Sequence, residues 1–281
     1  MADTKINDLV ALTTPVLADV VAIVDDTTGT PVTKKISLDT IDDYLKATTK
    51  TLSNKTLTSP VITTPTVQNY DGWQDANETW AYASASTITI PAGGAAKYAK
   101  GDKIKLTQTT VKYFYVVGVA DTVLTVTGGS DYTVANAAIT LNYYSHVSSP
   151  IGFPKVFNFT PTFIFTTLGN GTLTGQFYID NNEIHVSASF LLGSTSAVAA
   201  GLSFSTTGLP TQSSLYTSRI YSIGRGTGKD AGAPFAVGCD MQFVDSTRIR
   251  FVDSSGAAWS NVVPFTWAEG DTLMCRLSYN F

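Results

Sequence analysis

The residues best suited to chemistry are scarce in this chain. Among its 281 residues there are two histidines, His146 and His185, and two cysteines, Cys239 and Cys275. A Ser-His-Asp hydrolase would draw on one of the two imidazoles and would present its serine on a sharp turn, yet no Gly-x-Ser-x-Gly stretch occurs. Gly224-Arg-Gly-Thr-Gly-Lys-Asp230 looks at first like a phosphate loop. It has three residues between Gly224 and Gly228 where four are needed, and Asp230 stands where a metal-binding Ser or Thr belongs. A carboxylate there would repel phosphate, so the stretch reads as a mobile loop between strands. There is no Cys-x-x-Cys, no His-Glu-x-x-His and no calcium loop of alternating Asp. The glutamates are Glu78, Glu183 and Glu269, the last two in expected turns. A carboxylate pair for glycan cleavage could still be assembled from distant positions. The sequons at Asn54, Asn77, Asn158 and Asn170 carry weight only on a secretory route. The expectation is a non-enzymatic protein with no catalytic residue, no metal site and no cofactor.

What remains is surface suited to recognition. The loop expected over 224–234 carries Arg225, Lys229 and Asp230 among glycines, and the loop expected over 253–261 carries Trp259 among polar residues. Aromatic faces and charged hydrogen-bonding groups on loops commonly hold sugars and other polar ligands. These four residues are the candidate contacts. The competing reading buries Trp259 against a neighbouring subunit.

The elements that would position them are strands. Charged residues make up 14% of the chain, well below the ~25% of an ordinary domain. Thr, Ser, Asn and Gly take their place, a mixture that favours pleated surfaces and tight turns. A net charge of -4 offers no basic patch for nucleic acid. No apolar run approaches the ~20 residues that span a bilayer, and Met-Ala-Asp-Thr-Lys lacks the apolar stretch of a secretory signal. Synthesis in a cytoplasm, with no membrane insertion, is expected.

Composition divides the chain into four parts. Residues 1–45 hold eight Asp and three Lys. An apolar strand at Val20–Val24, a turn at Asp25–Gly29, a returning strand at Val32–Ile36 and a helix capped by Ser37 read as a small anchor. Residues 46–69 hold three Lys and no acid, with prolines at 60 and 65, and form an extended Thr/Ser/Pro neck. Such a stretch is either a linker or a stalk wound around copies of itself, and three chains about an axis is the simplest stalk. Residues 70–150 read as a β-rich middle domain with strands at Lys103–Thr107, Val111–Val119, Val123–Val126 and Ala138–Leu141. Residues 151–281 contain all five arginines and alternate more strongly. Their clearest feature is a hairpin over Gly175–Phe190 with Asn181-Asn182 as a type I′ turn. It sets Ile179 against Ile184 and Phe177 against Val186 on the buried side, and Tyr178 against His185 on the other. Later strands are expected at Phe235–Val244, Thr247–Val252, Val262–Trp267 and Thr272–Phe281. Period-2 spacing places Cys239 and Cys275 on core faces as small buried hydrophobes. The fold class is therefore all-β: a small anchor, an extended neck, then two β-sandwich or jelly-roll-like domains.

Three phrases carry a resemblance. Thr4-Lys-Ile-Asn-Asp-Leu-Val-Ala-Leu, continuing through Val20-Val-Ala-Ile-Val-Asp-Asp and Lys34-Lys-Ile-Ser-Leu, resembles the N-terminal attachment segment of phage tail and fibre proteins. Thr51-Leu-Ser-Asn-Lys-Thr-Leu-Thr-Ser-Pro-Val-Ile is similar to a phrase of phage fibre necks. Phe159-Thr-Pro-Thr, Leu168-Gly-Asn-Gly-Thr-Leu-Thr-Gly and Pro264-Phe-Thr-Trp-Ala-Glu-Gly-Asp resemble a C-terminal β-sandwich domain of phage tail proteins. Together they cover about half the chain, in the order anchor, neck, tip. The resemblance implies a homotrimer in the virion, made in the host bacterial cytoplasm. Its N-terminal segment would meet other virion proteins, and its C-terminal domain would meet a host cell-surface glycan or protein. A structural head fibre or capsid decoration protein is the alternative, and a glycan-degrading tailspike a third. The neck assignment has a direct consequence: Leu57→Asp should dissociate the trimer, and a variant that still runs as a trimer in light scattering contradicts it.

Overall fold

The computed structural model describes residues 14, 16, 18–25, 32–47, 70–213 and 222–281. The chain divides into two compact units, residues 1–66 and 67–281.

In the first unit, β1 (Val20–Asp25) and β2 (Val32–Ser37) pair antiparallel, with Val20 opposite Ser37 and Ile23 opposite Lys34. The helix α1 (Leu38–Ala47) follows at once. Ser37 Oγ accepts the Thr40 backbone N–H at 3.1 Å, so the expected cap is present. Of the side chains described in residues 14–45 none is buried, and Val20, Val21, Ile23, Tyr44 and Leu45 are exposed. The expected turn after Asp25 and the neck from residue 48 to 69, Leu57 included, lie outside the described residues.

The second unit holds two antiparallel sheets. The first is built from β3 (Gln74–Asp75), β4 (Ala81–Ser84), β5 (Thr87–Thr89), β6 (Lys103–Gln108), β7 (Thr110–Val119), β8 (Val123–Thr127) and β9 (Thr140–Ser145). Their order across the sheet is β3-β9-β6-β7-β8-β5-β4. Alternate residues of these strands, among them Ile88, Ile104, Leu106, Phe114, Val116, Leu124 and Val126, form one core with Trp80 and Tyr98. A single turn of helix, α2 (Gly94–Lys97), is held there by Glu78. The Glu78 carboxylate pairs with Lys97 and accepts hydrogen bonds from Tyr98 Oη at 2.7 Å and Trp80 Nε1 at 3.0 Å. Burial works to raise this carboxyl, but the bonds from Lys97, Tyr98 and Trp80 outweigh it and leave it below the ordinary value. The strand expected at Ala138–Leu141 begins instead at Thr140, and a bulge opposite Lys105–Thr107 turns Leu141 outward at φ 47°.

The second sheet comprises β10 (Phe157–Asn158), β11 (Thr162–Thr167), β12 (Thr172–Asp180), β13 (Glu183–Leu191), β14 (Ala197–Ser205), β15 (Ser222–Lys229), β16 (Ala236–Phe243), β17 (Arg248–Val252) and β18 (Thr272–Asn280). The nine strands are one continuous ladder in the order β10-β12-β13-β18-β15-β16-β17-β14-β11. The layers of a sandwich are therefore made by one sheet curled over itself. Phe163 on the β11 edge has its ring centroid 6.0 Å from Phe190 on β13, although six strand places separate them along the ladder. In a flat sheet those strands would lie roughly 29 Å apart. The enclosed face buries Phe177, Val186, Phe204, Met241, Phe251, Leu273 and Leu277. The two sheets share one unit: Tyr115 of β7 packs in the larger core, 4.9 Å from the Phe153 ring and 5.3 Å from Phe157. The expected boundary near residue 150 thus marks a change of sheet within a single compact body.

The hairpin of β12 and β13 has the expected register, from Phe177 opposite Val186 to Asp180 opposite Glu183. Asn181 takes φ 52° while its neighbour Asn182 has no positive φ, so the turn is not type I′. The strand expected at Val262–Trp267 is a loop. Pro264 has no N–H to give a ladder, and Trp267 Nε1 donates to Ser260 O at 3.0 Å within the same loop.

The largest departure concerns 224–229, expected as a mobile loop. It is β15, hydrogen-bonded on one side to β16 and on the other to β18 in the middle of the large sheet. The alternate glycines supply room rather than mobility. A Cβ on Gly226 would stand 2.4 Å from Phe251 Cδ1 and 2.6 Å from Cys239 Sγ, and one on Gly224 would stand 2.2 Å from the Arg276 carbonyl oxygen. Gly226→Ala is accordingly expected to cost about 2–3 kcal/mol in denaturant unfolding. A loop position would leave stability within about 0.5 kcal/mol, and that result would restore the loop reading.

Candidate functional site

The curl leaves the enclosed face apolar and the other face mostly polar, with Leu191 and Met274 exposed on it. On β12 the outward residues are Thr172, Thr174, Gln176, Tyr178 and Asp180, and alternate positions of β13, β18, β15 and β16 continue the same surface. The registers line these residues up in rows. One row runs Gln176, Ser187, Arg276, Arg225, Asp240 from β12 through β13, β18 and β15 to β16. Directly opposed residues of an antiparallel pair share a face with Cβ atoms ~5 Å apart, so each row is a continuous strip of side chains.

Two adjoining hollows of about 550 and 430 Å³ lie in this face and share Ser187 and Arg276. The larger is lined by hydroxyl and amide groups together with Phe159, Leu173 and Met274. Thr174 and Ser189 share a hydroxyl hydrogen bond at 2.6 Å, and Gln176 Nε2 donates to Asn158 Oδ1 at 3.2 Å. The smaller is bounded by Tyr178 and His185, whose rings lie parallel with centroids 4.5 Å apart and an interplanar angle of 11°. The hairpin register holds this plate in place, since the two residues face each other across β12 and β13. Its exposed ring edges and faces suit the apolar side of a sugar, while the neighbouring hydroxyls, amides and guanidiniums suit its polar groups.

Of the four residues expected to touch a ligand, the structure brings two onto this face. Arg225 and Lys229 are exposed, at outward positions of β15. Asp230 follows the strand and closes a turn, its carboxylate accepting the Gly232 N–H at 2.7 Å. Trp259 is not in a surface loop. It is 1% exposed, stacked on Phe251 at 5.9 Å and tilted against Trp267 at 6.1 Å. Its backbone N–H donates to Phe251 O at 2.9 Å, which fixes the ring inside the same unit, so it is unavailable to a ligand and is buried without a neighbouring subunit. The residues that the sequence reading missed are Arg276, Ser187 and Gln176. The alternation Leu273, Cys275, Leu277, Tyr279 already implied that Arg276 points the opposite way.

Asp180 and Glu183 oppose each other at the hairpin tip, outside both hollows, and the side chain of Glu183 remains 43% exposed. Glu183 and Asp240 sit three strand places apart, roughly 14 Å before any offset along the strands, beyond the spacing of a glycosidase pair. Among the described residues no three His, Cys, Asp or Glu side chains come together as a metal site. Cys239 and Cys275 are free and buried on either side of Gly226. Two strand spacings, roughly 9.6 Å, are too far for a disulfide. Burial pushes both thiols up to about 12. No family profile, curated protein or solved structure matches the chain significantly.

Neither cysteine should react with a thiol reagent at pH 8 in the native protein, and both should react once it is unfolded. Rapid native labelling of either would contradict the packing described for β15, β16 and β18.

Proposed function

We propose that this chain is a virion fibre or tail-tip protein, homotrimeric through its neck, that binds a host cell-surface glycan with the outward face of β12, β13, β18, β15 and β16. One observation carries the choice of surface. A largely polar sheet face with an aromatic pair, paired hydroxyls and amides and two arginines is left uncovered by the described residues of its unit, next to hollows large enough for one or two sugar rings. The phrases resembling an attachment segment, a neck and a tail-protein tip support the placement on a virion. The exposed apolar residues of β1 and α1 favour a role for the first unit in contact with another protein. Three modest sites on one stalk would act together, so each need hold its ligand only weakly. No helix among the described residues is long and apolar enough to cross a membrane.

Ser187 lies at the junction of the two hollows and faces outward, where a large side chain fits a strand without disturbing the core. Ser187→Trp should abolish binding of the fluorescently labelled full chain to host cells while shifting Tm by only a few degrees. Periodate oxidation of the cells should have the same effect on the unaltered protein. A Ser187→Trp variant that still decorates cells as well as the parent would remove this face from the proposal.

A further inference from the structure

Arg276 on β18 and Arg225 on β15 stand directly opposite each other in the ladder and are both exposed on the outward face. Two like charges at ~5 Å between Cβ atoms repel, and such a pair is destabilising unless an anion lies between or beside them. The protein supplies little. The other direct neighbour of Arg276 is Ser187, and its diagonal neighbours are His185, Ser189 and Thr227. None of these is a carboxylate. Arg225 has one acidic neighbour, Asp240 on β16. Among the described residues neither arginine takes part in an ion pair, whereas Arg248 on the same sheet is paired with Asp245 at 3.3 Å. One carboxylate, beside Arg225, therefore serves two guanidiniums, and the other of these, Arg276, lines both hollows.

We infer that the ligand of this face is an acidic saccharide, whose carboxylate or phosphate is shared by Arg276 and Arg225 while a ring lies against Tyr178 and His185. The inference rests on the reading of this face as the glycan surface and adds the charge class of the glycan. A guanidinium presents a planar fork of donors that matches either oxyanion, which is why both are included. An exposed strand face also lets the two side chains spread to admit the anion and close on it.

The experiment applies the full chain to an array of bacterial surface saccharides in three arms: uronate- or sialate-containing, phosphate-substituted, and neutral. Binding confined to the acidic arms supports the inference, and the arm preferred distinguishes carboxylate from phosphate. Arg276→Ala and Arg225→Ala should each weaken that binding about tenfold, the worth of one charge-assisted hydrogen bond. Lys35→Ala, which removes the same charge from the first unit, should leave it unchanged. Thermal unfolding checks that the variants fold, and Arg276→Gln, which keeps the side-chain stem, should show the same loss if Arg276→Ala does not fold. Equal binding to neutral and acidic saccharides, or unchanged binding by a folded Arg276 variant, would overturn the inference and leave the glycan surface standing. Binding to none of the three arms would overturn both.

Discussion

The structure depends on one steric constraint: the middle strand of the nine-stranded sheet must be thin enough for the aromatic rings of β17 and of the loop after it to lie over it. Strand β15 meets that constraint by placing Gly224, Gly226 and Gly228 at alternate positions, all on the enclosed side. Phe251 and Cys239 occupy the space a side chain on Gly226 would need, and Trp259 and Trp267 lie over Gly228. The gain is the burial of several large aromatic rings, each worth about 1.5–3 kcal/mol when removed from water. The loss is the extra backbone freedom that each glycine surrenders when it enters a strand, about 0.5–1 kcal/mol apiece. Burial wins because the aromatics that close over β15 belong to the same core as Phe163, Phe190 and Phe204, so a side chain at any of the three glycines would loosen contacts well beyond its own strand.

The same constraint explains why part of the fold was readable from sequence and part was not. The hairpin of β12 and β13 and the last strand β18 alternate between large apolar and small polar residues, and their registers and faces follow from that alternation alone. The β1–β2 hairpin and the Ser37 cap were equally local. Strand β15 carries its pattern in absences: glycines inward and Arg225, Thr227 and Lys229 outward give no hydrophobic signal, so the stretch looks like a loop. The period-2 spacing of the glycines was the available clue. Trp259 was misplaced for the converse reason. Its immediate neighbours are polar, and only the distant pairing with Phe251 draws it inside. Charge and exposure put Arg225 and Lys229 within reach of the site, but the partners that make it, Arg276, Ser187 and Gln176, come from strands about forty to fifty residues away on either side.

The face opposite this apolar one meets solvent, and there the chain has hydroxyls, amides, an aromatic pair and guanidiniums in register. On the proposed reading, a curved strand surface would suit a long polymeric ligand, since successive rows across the ladder repeat at strand spacing and contacts accumulate along the ligand. The site needs little mobility, because its side chains are positioned by a ladder rather than by loops. The two buried thiols and the tryptophans of the enclosed core then have a shared role: they pack the inner face whose curvature keeps the outward rows aligned.

The most direct test of this account is native-state amide hydrogen exchange at β15. Residues 224–229 should exchange only through global unfolding, with the same free energy as the central residues of β13 and β18. Exchange of these amides at the rate of an open loop, while β13 and β18 stay protected, would contradict the central position of the strand and with it the surface built upon it.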